Sequence, residues 1–217
     1  MRSEIVIRHL GKILLLNALF MFISALISFA YKEDAAIILM YSGLLCLIFG
    51  IFPLIFVPES PDLHFKEGVL IVVIGWLITC IVGMLPYLLW GGEFTLANAF
   101  FESVSGFTTT GSTVLSNIEA LPYGILFWRS STHWLGGIGI ILFVLLVLPQ
   151  SKTPRIVILN TEMSELSKNN LQYQARKVLS ILVVIYVGLT VLEIIALRIA
   201  GMNLFDAINH AFATIAT

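Results

Sequence analysis

Charge is scarce in this chain. Of its 217 residues only 12% are Asp, Glu, Lys or Arg, whereas 59% are hydrophobic, and the mean hydropathy is +0.99. A water-soluble domain needs far more polar surface, so the composition places the chain in a bilayer. A basic excess is also lacking. The net charge of −1 excludes the electrostatic footprint of a nucleic-acid binder. Only two cysteines occur, Cys46 and Cys80, each inside an apolar run with no Cys or His at ligand spacing. They read as reduced core residues. No HExxH sequence or hydrolase motif is present, and no Asp or second His accompanies the chain's Ser, Thr or His133 as base and orienting group. A membrane-embedded enzyme is therefore the weaker reading, and the chain is expected not to be one.

What the chain has instead is long apolar runs. Stretches free of charge and long enough to cross about 30 Å of hydrocarbon lie at 13–31, 35–58, 68–92 and 130–151, and a fifth, 178–200, is interrupted by Glu193 and Arg198. The first run ends in Ser28-Phe29-Ala30, which mimics a signal-peptidase site. Its length and the immediate second span favour a retained helix. Two helices, about 10–31 and 35–57, joined by Lys32-Glu33-Asp34, make a packing hairpin. The loop PESPDLHF (58–65) follows, then a third span over about 67–90.

Basic residues set the orientation. Arg2, Arg8, Lys12, Lys66, Lys152, Arg155, Lys168, Arg176 and Lys177 fall on one side, and only Lys32, Arg129 and Arg198 on the other. The N-terminus is thus expected in the cytoplasm, and the segment 91–127 outside.

That outer segment is not an ordinary loop. TLANAFFESVSGF (95–107) suits a helix of about three turns, too short to cross. GFTTTGSTVL (106–115) is polar, LSNIEALPYG is loop-like, and the fourth span returns over about 128–149. A half-length helix followed by a polar return is a re-entrant segment, tolerated at membrane depth only where protein or a water-filled cavity surrounds it. The unit begins again 108 residues later, placing Leu96 on Leu204, Asn98 on Asp206, Ala99 on Ala207 and Thr109 on Thr217. Internal repeats around a midplane site are characteristic of ion pathways and transporters.

The polar tract suits a desolvated cation. Stacked backbone carbonyls replace a hydration shell without adding a charge that traps the ion. Gly111 can adopt the backbone conformations such a stack requires, and Thr109 and Thr110 can add hydroxyl oxygens. The short helix 96–107 would point its negative C-terminal end at the ion.

Three segments, NAFFESVSGFTTTGSTVL (98–115), WRSSTHWLGGIGIILFVLLVLP (128–149) and NLFDAINHAFATIAT (203–217), resemble the first pore loop, its following helix and the second pore helix of the potassium-translocating subunit of the Trk/Ktr family, in the TrkH-like branch. The resemblance implies an all-α polytopic membrane protein of helix–pore-loop–helix repeats preceded by a two-helix hairpin. The expected divisions are the hairpin over 1–64, the first repeat over 65–150, a cytoplasmic connection over 151–177, and a second repeat begun over 178–217. Four such repeats surround one potassium path in the family. The resemblance makes Thr109, Thr110, Gly111 and Ser112 one quarter of the filter, and Thr217 the start of the second. One glycine stands where potassium channels have Gly-Tyr-Gly, so a less selective sodium/potassium translocator is the companion reading. The resemblance further implies a bacterial inner-membrane location, a homodimer, a cytosolic nucleotide-binding regulatory subunit, potassium as the only ligand and no organic cofactor. With one full loop and part of another, residues 1–217 alone are not expected to conduct.

Other residues have structural readings. Gly136, Gly137 and Gly139 let the fourth helix approach the pore loop. His133 is a polar packing or outer-vestibule residue. Glu102 and Arg129, ionisable at membrane depth, are expected to brace the loop as a pair, and Glu193 to pair with Arg198. Segment 150–177 reads as a surface helix leading into the fifth span, with a regulatory docking surface as the alternative.

Overall fold

The computed structural model describes residues 3–58, 65–147 and 165–216. Among them every regular element is helical: α1 Ser3–Ala30, α2 Ala35–Phe56, α3 Phe65–Gly83, α4 Leu85–Trp90, α5 Leu96–Phe107, a 3-10 turn Ile118–Ala120, α6 Tyr123–Val147, α7 Glu165–Ile199 and α8 Leu204–Ala216. Four helical stretches are long and apolar enough to cross a membrane: Ser3–Ala30, Ala35–Phe56, Lys66–Trp90 and Ser180–Ile199. Helix α6, with 25 residues, is about 37 Å long, also sufficient to span.

In the hairpin α1–α2 the buried side combines Ser, Gly and Ala with Leu10, Leu14, Met21 and Leu39, while the outer side is large and apolar. Ser24, Ser28 and Ser42 are fully buried, and Leu26, Phe29, Phe49 and Phe52 are exposed. Hydrocarbon as solvent removes the usual reason to bury leucine, so close approach decides which face turns inward. A Cβ on Gly11 would lie 2.7 Å from the Gly50 carbonyl, and one on Gly50 would lie 3.0 Å from the Gly11 carbonyl. Two of the buried serines satisfy themselves along their own helices, Ser24 Oγ donating to Phe20 O and Ser42 Oγ to Ile38 O, while Ser28 Oγ donates to Glu33 Oε2. A continuous core runs from this hairpin through Met21, Leu39, Cys80, Tyr87, Phe107 and Trp128. Cys46 and Cys80 are both buried and free, as their apolar surroundings implied.

Several boundaries differ from the sequence reading. The third span is not one helix but breaks at Gly83–Met84. Pro86 lies in the first turn of α4, where it has no N–H to continue the ladder of α3. The freed end is held from outside: Trp128 Nε1 donates to Gly83 O at 3.1 Å and Ser103 Oγ to Cys80 O at 2.7 Å. Helix α6 starts five residues earlier than expected, at Tyr123 rather than 128. The Glu33 carboxylate supplies the cause, accepting from Tyr123 N at 2.7 Å and Gly124 N at 3.2 Å. A carboxylate on the open N–H groups of a first turn stabilises that turn. The fifth span is the C-terminal part of a longer helix, since α7 begins at Glu165. Most of the 58–65 loop and residues 148–164 lie outside the described residues.

The second unit opens as the first does. Thr95 Oγ1 accepts from Asn98 N at the start of α5, and Asn203 Oδ1 accepts from Asp206 N at the start of α8. These two N-caps stand at the 108-residue offset read from the sequence. Ala99 and Ala207, related by the same shift, are both fully buried. Helix α6 packs between the two short helices and contacts both.

Candidate functional site

Helix α5 ends on a chain reversal built from backbone bonds. Thr108 N donates to Val104 O, Thr109 N to Gly106 O and Thr110 N to Ser105 O, each at 2.9 Å. Three of the last four carbonyls of the helix thereby find donors. The reversal requires left-handed backbone at two positions, Thr109 with φ 56° and Gly111 with φ 76°. For a β-branched residue such as Thr109 this conformation is strained. Gly111 adopts it without penalty. A Cβ at Gly111 would meet nothing within 4 Å, so the need for glycine there is conformational and not steric.

The tract is open on one side. Thr108, Thr110, Gly111 and Ser112 are exposed while Ser105, Gly106 and Phe107 behind them are buried. Among the described residues the carbonyls of Thr109, Thr110 and Gly111 accept no hydrogen bond. The Ser112 carbonyl does, from Ser105 Oγ at 2.6 Å. Thr217 lies outside the described residues.

The returning segment is fastened by two carboxylates. Glu102, 2% exposed, accepts from Thr113 Oγ1 at 3.0 Å, from Val114 N at 3.2 Å, and from Arg129 Nε at 2.6 Å. The Glu102–Arg129 pair expected from the sequence therefore forms, and it reaches the loop through Thr113 and Val114, which the sequence reading missed. Because α6 begins early, Arg129 sits within the helix and not at its start. Nearer the surface, Glu93 accepts from Ser116 Oγ at 2.5 Å and Ser116 N at 3.1 Å. These donors, the hydroxyl first, hold the Glu93 carboxyl below its ordinary pKa. Neither Glu93 nor Glu33 stands out in the sequence. The only signal for either is an acidic residue in an apolar chain.

Gly136 and Gly137 serve different partners. A Cβ on Gly136 would collide with the Phe107 carbonyl at the end of α5, and one on Gly137 would collide with the Tyr186 hydroxyl and lie 3.1 Å from Ala216 Cα of α8. Consecutive glycines on α6 thus admit the ends of both short helices. Trp134 stacks on Phe212 of α8 with centroids 5.2 Å apart, and its Nε1 donates to Thr190 Oγ1 of α7. His133 is buried with Nδ1 3.0 Å from Arg129 O, the packing role expected of it. Arg198 Nη1 donates to Met202 O at 2.8 Å in the turn after α7, and the pairing with Glu193 is not made.

The loop presents carbonyls without donors among the described residues at the C-terminal end of a half-buried short helix. The TrkH family model, described as a cation transport protein, matches residues 38–217. The chain belongs to the TrkH family. It is 36% identical over its whole length to the Trk system potassium uptake protein TrkH of Escherichia coli K12, covering 45% of that protein. It is 31% identical, over 99% of its length and 44% of the relative, to an uncharacterized cation transporter of Methanocaldococcus jannaschii. Its fold matches the crystal structure of the potassium transporter TrkH from Vibrio parahaemolyticus with a TM-score of 0.79 and 31% identity, over 98% of this chain and 42% of that one. The chain spans a little under half the length of these TrkH proteins.

Proposed function

We propose that this TrkH-family chain forms part of the pore of a Trk-type potassium uptake system, in which the ion passes a ring of backbone carbonyls. The observation that carries the reading is the largely exposed tract 108–112, with left-handed backbone at Thr109 and Gly111 and the carbonyls of Thr109, Thr110 and Gly111 without donors among the described residues. Thr109, Thr110 and Gly111 contribute one quarter of the filter, with Ser112 at its outer edge and Thr217 opening the next quarter. Glu102 and Arg129 brace the loop, Gly136 seats the end of α5 beneath it, and Gly137 admits the end of α8. Potassium is the transported ion, and no organic cofactor enters the proposal. The working protein is a homodimer in the bacterial inner membrane, its N-terminus cytoplasmic, with a cytosolic nucleotide-binding regulator. These assembly and location features follow the family resemblance and the Lys/Arg asymmetry.

The test is potassium uptake by the full-length protein in cells that lack their own uptake systems. Gly111→Val should lower potassium uptake or relax selectivity while the protein stays in the membrane. Uptake and sodium discrimination both unchanged would end the filter reading. Equal transport of sodium and potassium by the unaltered protein would favour the less selective translocator.

A further inference from the structure

Several helical serines in this chain bond backward, whereas Ser28 and Ser103 donate to Glu33 Oε2 and Cys80 O. Ser24, Ser42, Ser130 and Ser131 each donate to the carbonyl four residues earlier, the local bond that such hydroxyls favour in helices. Ser105 does not. It stands in the last turn of α5, is buried, and its Oγ reaches forward seven residues to the Ser112 carbonyl at 2.6 Å. Its own carbonyl accepts from Thr110 N at 2.9 Å and from Gly111 N at 3.5 Å. One side chain and one carbonyl of the same residue thus hold the tract Thr110–Ser112 from behind.

We infer that Ser105 is a positioning residue for ion selectivity. Its hydroxyl holds the Ser112 carbonyl toward α5 and so limits the carbonyls this loop offers the ion to those of Thr109, Thr110 and Gly111. Selectivity among cations depends on how many carbonyl dipoles surround the ion and how firmly they are held. Without the Ser105 hydroxyl, the Ser112 carbonyl is released to turn outward, and Gly111, whose backbone is the softest in the tract, loses a fixed neighbour. The site then adapts to smaller ions. The inference rests on the filter reading of this loop and adds the residue that sets its carbonyl number.

The experiment uses the full-length protein purified into liposomes, with potassium and sodium fluxes measured on the same preparation. Ser105→Ala should reduce the potassium-to-sodium ratio by roughly tenfold, the effect of losing one hydrogen bond of about the usual strength. Ser105→Thr, which keeps the hydroxyl, should restore the ratio to within about twofold of the unaltered protein. An unchanged ratio in Ser105→Ala overturns the inference. If Ser105→Ala does not reach the membrane, Ser105→Cys, a weaker donor, is read instead, and an unchanged ratio there overturns the inference equally. Gly111→Val measured in parallel separates the two levels. If it abolishes potassium flux while the Ser105 variants keep the native ratio, the role of Ser105 falls and the filter stands. If Gly111→Val is also silent, the filter reading falls with it.

Discussion

Glu102 Oε1 lies 2.6 Å from Arg129 Nε, and the same carboxylate accepts from Thr113 Oγ1 and Val114 N. One buried charge thereby joins the short helix, the returning segment and the long helix α6. Its removal leaves a guanidinium, a hydroxyl and an amide without their acceptor. Breaking a buried pair from one side costs about 3 kcal/mol or more. Glu102→Ala should lower the thermal midpoint of the full-length protein in detergent by several degrees and reduce potassium uptake. Glu102→Gln, which still accepts from Thr113, should be milder in both. A Glu102→Ala protein as stable as the unaltered one would remove the brace.

Gly136 and Gly139 lie one turn apart on α6 and make a matched pair of sites. A Cβ on Gly136 meets the backbone of Phe107, whereas one on Gly139 meets the Trp76 ring at an ordinary 3.4 Å. Backbone cannot step aside as a side-chain tip can, so Gly136→Ala should destabilise by roughly 1–3 kcal/mol and impair uptake. Gly139→Ala should be close to neutral. Membrane abundance and thermal midpoints of the two variants check this, and equal behaviour would refute the close seat of Phe107.

The charge asymmetry makes a topological prediction. In a background with Cys46 and Cys80 replaced, a cysteine at Asn117 should react with an impermeant thiol reagent in intact cells. One at Ser151 should be shielded until the cells are permeabilised. The reverse pattern would place the polar tract on the cytoplasmic side.

Glu93 carries a pH dependence of known sign. Its carboxyl is held below the ordinary value by Ser116, so the folded loop binds the proton less readily than the unfolded one. The clamp is therefore fully present above the ordinary carboxylate pKa and is lost as pH falls through the lowered folded value. Protection of the 116–120 segment from protease should decline on acidification over that window. Glu93→Gln should flatten the dependence. Because Glu93 is exposed, the effect is small.

The membrane class, the spans and the half-length helix are legible in the amino-acid sequence, because each follows from local properties. Run length against bilayer thickness identifies α1, α2 and the third span. The run TLANAFFESVSGF suits the short helix α5, and the Thr/Gly tract marks where backbone serves in place of side chains. Even the Glu102–Arg129 pair is accessible, since two opposite charges at membrane depth have few other partners.

Tertiary structure decided what joins what. Glu33 looks like part of a tight turn, yet it caps α6 across 90 residues of sequence. Pro86 is visible in the sequence, but the break it makes is kept only because Trp128 and Ser103 supply donors to the freed carbonyls. Thr113, Val114 and Ser112 become anchored positions only when α5 folds against the segment that follows it. The reason is the same in each case. At membrane depth an unpaired amide, carbonyl or charge is costly, so each of these groups takes a partner. Sequence specifies which groups need one, and helix packing alone determines which is in reach.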